Sequence, residues 1–464
     1  MSAGRVDQFT ARRLSTPQLL GGAVALAGAA GATAALGGKD GFAAGAGLAT
    51  ASCLVWLETE TLVGLWLVLA LADPAIPTVG GLNCSDFVLL IAMGKFAYSR
   101  QRLHRAPRYG GLVLALAFLA EAVVTVFGQS VTAQNPRFIV TLAGLSLAAY
   151  LVWSSGKPER FIRWLAIASG AAAGLAGAQY AAYRLGGVVL FPTVQNLFFI
   201  DAHISNTFRA TGLGLDPNFL GLWIVPGLGI AAIGLLRSKR RLEYGLYAAL
   251  CAFGVFATAS RGSLISAIVG LAIVVYVELA SARRLPVVRR RHLASACLVA
   301  VLLAPVVFVE VEHAIARYPL TAETRVNQVP VVLKAAVNGN WAGLGFEAEA
   351  DEIGGITTIS SPFIGAENVV HNTLLQALYE DGWIGFLGAL LLLVSGLRIA
   401  LRFLRGASRS KAMLGAAFVV LSVNLQVLGA YAFRPMWFTW ALLLAVNATA
   451  QRGQLERRLV GRAT

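Results

Sequence analysis

Three short stretches hold residues whose types and spacing could do chemistry. The first is Phe208-Arg209-Ala210-Thr211-Gly212-Leu213-Gly214-Leu215-Asp216-Pro217-Asn218. Arg209 is a permanently charged donor beside glycines that let a ligand approach the backbone. It could equally reach for lipid headgroups with its long stem. Asp216 before Pro217 reads as a helix cap followed by proline at the first helical position. The second stretch is Thr258-Ala259-Ser260-Arg261-Gly262-Ser263, squeezed between two apolar runs. A cation in so short a junction calls for an anion, which could be a ligand or a carboxylate of the same chain. The third is His371-Asn372-Thr373-Leu374-Leu375-Gln376, continuing to Glu380 and Gly382. Asn372, Gln376 and Glu380 share one helical face. His371 stands at the helix start, where the dipole favours the neutral, proton-accepting imidazole. A structural histidine is the alternative.

The elements that must position these residues are membrane helices. Of 464 residues, 57% are hydrophobic and only 13% charged, with a mean hydropathy of +0.70. A soluble domain is about 45–50% apolar and about 25% charged. Disorder needs the opposite composition. Spans of about 20 apolar residues fit at 18–37, 41–57, 61–79, 84–99, 110–128, 138–154, 161–182, 217–236, 242–259, 262–280, 292–310, 382–403, 411–430 and 433–450. The expected fold is therefore all-α, a polytopic helical bundle of 12–14 transmembrane helices. It divides into N-terminal spans (1–182), a long outward segment (183–216), central spans (217–310), a large outward loop (311–381) and C-terminal spans with a tail (382–464).

The net charge of +15 raises the question of nucleic acid, but the cations are distributed as a topology code. With the N-terminus inside, 28 of the 38 Lys and Arg residues fall in inward loops and tails, as the positive-inside bias requires. Both termini are then cytoplasmic, and no nucleic-acid partner is needed. The ten remaining cations include Arg184, Arg209, Arg261 and Arg434. The large outward loop, with its nine acids, makes the outer face the place to look for function. The four cysteines are scattered and suggest neither a metal site nor a disulfide framework. Arg12-Arg13 reads as the flank of a first span rather than a twin-arginine signal. Walker, Rossmann and HExxH patterns are absent.

Taken in order, Arg209/Gly212/Asp216-Pro217-Asn218, Ser260-Arg261-Gly262, a long outward loop, and His371-Asn372 with Gln376 and Gly382 resemble the O-antigen ligase/polymerase superfamily. These are bacterial membrane glycan transferases, and the resemblance covers roughly residues 205–400. It implies transfer of a glycan from undecaprenyl diphosphate to a sugar hydroxyl at the periplasmic face of the inner membrane. His371, Arg209 and Arg261 are the implied catalytic residues. Arg434, Arg184, Asn218, Asn372 and Gln376 are candidate substrate ligands. No cofactor or metal is implied, because arginines can hold the leaving diphosphate. The expected partners are the lipid-linked glycan, membrane lipids, a chain-length regulator, and an acceptor that is either a lipid-linked repeat unit or lipid A–core. The number of spans favours a polymerase over a ligase. A flippase for lipid-linked oligosaccharide is the alternative of another class, but such transporters carry ionisable residues near the bilayer midplane and related halves.

Overall fold

The computed structural model describes residues 54, 57–73, 83–98, 144–152, 157–191, 208–213, 216–281, 329–330, 332–334, 336–337, 343, 372–406, 408–426 and 434–463. The expected spans at 18–37, 110–128 and 292–310, most of both long outward segments, and His371 lie outside these residues. Among the described residues the regular structure is helical, with no strand. The longer helices are α1 (Thr59–Leu69), α2 (Cys84–Tyr98), α3 (Pro158–Gly186), α4 (Pro217–Arg237), α5 (Arg241–Thr258), α6 (Arg261–Ser281), α7 (Thr373–Gly406), α8 (Arg409–Asn424) and α9 (Arg434–Ala463). Among the described residues, four stretches, Pro158–Gly186, Pro217–Arg237, Arg261–Glu278 and Gly382–Gly406, are long and apolar enough to cross a membrane. The protein is an all-α polytopic membrane protein.

The chain divides into two compact units, Met1–Val63 with Phe87–Gln101, and Gly64–Asp86 with Arg102–Thr464. In the first, the Lys95 ammonium donates to the Leu57 carbonyl. The second contains the three motifs and is built around α4. This helix is buried over most of its length and packs against α3, α5, α6 and α8. Small residues make the close approaches, as expected where lipid offers no hydrophobic drive between helices. A Cβ on Gly229 would lie 2.5 Å from the Ala416 carbonyl carbon of α8. A Cβ on Gly254 would lie 2.7 Å from Ala173 Cα, and one on Gly270 2.7 Å from Val420 Cα.

Local sequence explains the helix starts and stops. The Asp216 side chain accepts from Asn218 N–H at 2.7 Å, with Pro217 opening α4. Asn372 caps α7, its Oδ1 accepting from Leu374 and Leu375 N–H at 2.9 and 3.1 Å. The α7 helix begins well before the expected span at 382 and bends at Gly382, whose φ of 66° and ψ of −159° break the helical path. Only glycine adopts that backbone geometry at low cost.

Within this unit the helix ends sort into two groups. At one end, Arg409 meets Ser238, Ser410 meets Glu159, and Arg237 pairs with Glu278 and the Leu404 carbonyl. The basic clusters at 157–163, 237–241 and 398–411 gather there. At the other end lie the C-terminal ends of α3, α5 and α8 and the starts of α4, α6 and α7. That second end carries the candidate site.

Candidate active site

The site starts from a tight helix-to-helix turn. Helix α5 stops at Thr258, and Ala259 takes the left-handed conformation with φ of 47°. For a residue with a Cβ this conformation costs about 1–2 kcal/mol. Ala259 N–H reaches back to the Phe256 carbonyl at 2.9 Å, and Arg261 opens α6 two residues later. Thr258 and Ser260 tie the turn down. Thr258 Oγ1 donates to the Val255 carbonyl at 2.7 Å and accepts from Ser260 N–H at 3.3 Å.

Arg209 docks on this turn. Its Nε donates to the Thr258 carbonyl at 3.3 Å, and its Nη2 to Asn218 Oδ1 at 3.4 Å. The neighbouring Ala210 N–H donates to the Ala257 carbonyl at 2.9 Å, so backbone and side chain fix the same register. Phe208, just before, stacks on Tyr183 of α3 with ring centroids 4.6 Å apart. Both Arg209 and Arg261 are half-buried. Two guanidinium-bearing residues are therefore held on one three-residue turn, beside the N-termini of α4 and α6. The first-turn N–H groups of those two helices carry partial positive charge, offset in part by the C-terminal carbonyls of α5 at the same turn. The Asp216 carboxylate is the local counterweight, and it is engaged as the α4 cap.

Asn218 is a junction rather than a terminus. Its Oδ1 also accepts from Ser260 Oγ at 2.9 Å. Ser260 Oγ accepts from Ser263 Oγ at 3.0 Å, and Ser263 Oγ accepts from Asn424 Nδ2 at 3.3 Å. The residues after Asn424 then hold the third motif. Thr373 N–H donates to the Leu425 carbonyl at 3.0 Å, and Asn372 Nδ2 to the Gln426 carbonyl at 2.9 Å. The end of α8 thus brings the start of α7 to the same end of the bundle as Arg209 and Arg261. On α7, Gln376 Nε2 donates to Glu380 Oε1 at 2.7 Å, and both side chains are buried. Asn372 and Gln376, expected as substrate ligands, are thus engaged as a cap and an intrahelical partner.

The other two expected ligands occupy different surroundings. Arg184 is exposed near the end of α3, its Nε donating to the Tyr180 hydroxyl at 3.1 Å and its guanidinium 5.5 Å from that ring centroid. Arg434, at the start of α9, is nearly buried. Its guanidinium donates to Asp73 Oδ2 and Asp86 Oδ1, each at 2.8 Å, and to Ser85 Oγ at 2.5 Å, and it lies 5.5 Å from the Trp66 ring centroid. Two carboxylates take up the charge that was expected to meet a substrate. Among the described residues, no three of His, Cys, Asp and Glu come together as a metal-binding group.

Sequence reasoning missed Gln179, which is fully buried in α3. Its Oε1 accepts from Thr211 and Gly212 N–H at 3.1 and 2.8 Å. Its Nε2 donates to the Gly212 and Leu190 carbonyls at 2.7 and 2.9 Å. Three of its four hydrogen bonds anchor the Arg209 segment, and Gly212 takes a φ of 63° to meet it. A lone glutamine in a Gly/Ala-rich helix was the only signal.

The fold and site together define a polytopic helical membrane protein with an arginine-bearing turn at the end opposite the basic clusters at 157–163, 237–241 and 398–411. Residues 246–390 match the family described as O-Antigen ligase. The match supports the O-antigen ligase/polymerase superfamily, whose members are membrane glycan transferases. The matched segment contains Ser260-Arg261, His371, Asn372 and Gln376, while Arg209, Asn218 and Asn424 lie outside it. No curated protein matches the chain.

Proposed function

We propose that the protein transfers a glycan from undecaprenyl diphosphate to a sugar hydroxyl, at the outer face of the bacterial inner membrane. The observation that carries this reading is the docking of Arg209 on the turn from which Arg261 starts α6. A diphosphate leaving group develops charge on its oxygens, and two half-buried arginines at helix ends stabilise that charge through charge-assisted hydrogen bonds. In the step proposed, the acceptor oxygen bonds to the anomeric carbon as the bond from that carbon to the phosphate oxygen breaks. The bonding pair leaves with the diphosphate, held by Arg209 and Arg261. The hydroxyl proton passes to His371, and a single displacement inverts the anomeric carbon. The segregation of basic clusters to the opposite end supports an outward-facing site, because inward loops collect Lys and Arg.

The first reading of the acceptor is another lipid-linked repeat unit, which makes the protein a polysaccharide polymerase. The second is lipid A–core, favoured by the description of the matched family as O-Antigen ligase. Purified protein incubated with a lipid-linked repeat unit distinguishes them. Longer glycans still on undecaprenyl diphosphate mean polymerase, and reaction only after lipid A–core is added means ligase. His371→Ala or Arg261→Ala should abolish transfer while folded protein stays in the membrane. Near-normal glycan from either variant would end the assignment.

A further inference from the structure

We propose that Asn424 and Ser263 are positioning residues for Arg209, acting through Ser260 and Asn218 to fix how its guanidinium meets a diphosphate. Asn424 lies outside the motifs that drew attention in the sequence, and Ser263 closes the second of them. The proposal rests on Arg209 being a diphosphate ligand.

An asparagine Nδ2 can only donate, and each serine hydroxyl has a single proton to give. Asn424 Nδ2 donates to Ser263 Oγ, which leaves the Ser263 proton for Ser260 Oγ. Ser260 Oγ also accepts from Ser263 N–H at 3.3 Å, so its own proton goes to Asn218 Oδ1. Asn218 is thereby held with its carbonyl oxygen toward Ser260 and Arg209. With the amide reversed, the Asn218 NH2 would face the Arg209 N–H groups, donor against donor, and the 3.4 Å contact would be lost.

The first three members of the chain are sealed from water. Asn424 and Ser263 are fully buried and Ser260 is nearly so, and in such surroundings each bond polarises the next. It crosses three helices, α8, α6 and α4. Gly221 of α4 makes the crossing possible, because a Cβ there would collide with the Ser263 side chain. A buried run of neutral side chains ending on a cation suits orientation better than charge supply, since none of its members carries charge.

The test uses undecaprenyl diphosphate as the probe, titrated calorimetrically against detergent-solubilised full-length protein. Asn424→Leu and Ser263→Ala should each weaken its binding by about five- to tenfold, the worth of one buried hydrogen bond to an ion-binding group. The second variant removes one oxygen atom and guards against a folding defect in the first. In an Arg209→Gln background neither change should weaken binding further. Equal losses with and without Arg209 would mean a general packing role and overturn the proposal. Wild-type binding by both single variants, with Arg209→Gln impaired, would also overturn it. Full binding by Arg209→Gln alone would instead remove the diphosphate reading on which the proposal stands.

Discussion

Gln179 is the residue on which the geometry makes the sharpest demand. Replacing it by leucine keeps the volume and the fit in α3 but removes every polar atom that meets the Arg209 segment. Thr211 N–H, Gly212 N–H and the Gly212 carbonyl lose buried partners, and the Leu190 carbonyl loses a partly exposed one. An orphaned buried backbone group costs about 1–3 kcal/mol. Three such groups, with some relaxation toward water, come to about 3–5 kcal/mol. The segment has a cheaper course, which is to leave Gln179's site and hydrate. Because Arg209 is only two residues before Thr211, that movement takes the guanidinium off the Thr258 carbonyl. A displacement of about 1 Å at a positioned group can cost a hundredfold in rate. Gln179→Leu should therefore lower the melting temperature in detergent and cut glycan transfer by about a hundredfold. Gln179→Glu, which keeps the acceptor side but cannot donate to the two carbonyls, should lie between the two. The assay is a melting curve together with transfer by the same preparation. An unchanged melting temperature with full transfer by Gln179→Leu would refute the anchoring role.

Three further outcomes follow from the packing. Ala259→Gly should raise stability by about 0.5–1 kcal/mol, since glycine relieves the left-handed strain but loses more backbone entropy on folding; a lower melting temperature would contradict this. Arg434→Met leaves the Asp73 and Asp86 carboxylates buried without their cation, a defect worth about 3–5 kcal/mol. Adding Asp73→Asn and Asp86→Asn should recover much of that stability, and with it transfer, whereas transfer that stays lost in a stable triple variant would make Arg434 a substrate contact. Gly229→Val should sharply reduce folded protein in the membrane, because the Ala416 backbone occupies the space its side chain needs; normal yield by gel filtration would show that α4 and α8 can part.

The legible features were those set within a few residues. Asp216-Pro217 signals a helix start whatever surrounds it, because a carboxylate two residues from an orphan N–H and a proline with no N–H to lose act locally. The junction at Thr258–Arg261 was legible because two apolar runs leave almost no chain between them. Asn372 was read as a possible ligand although its position at the helix start also suits a cap, and one side chain cannot announce which use prevails. Gln179 and Asn424 stayed silent, since their partners in the site are more than 30 residues away. Arg434 shows the same limit, as its carboxylates lie some 350 residues earlier in the chain.

By itself, the sequence determined the class. A chain with so little charge folds as apolar helices whose backbone bonds are satisfied internally, and the spacing of its cations sets the orientation to expect. It also marked the three motifs, because polar residues at helix ends stand out against an apolar background. Tertiary structure decided which polar groups meet. It set Arg209 on the turn ahead of Arg261, took Arg434 into an ion pair with two aspartates, and drew Asn424 into line with Asn218. A buried polar group takes whichever partner the packing brings within about 3 Å, and among helices joined by long connections that partner is a property of the fold.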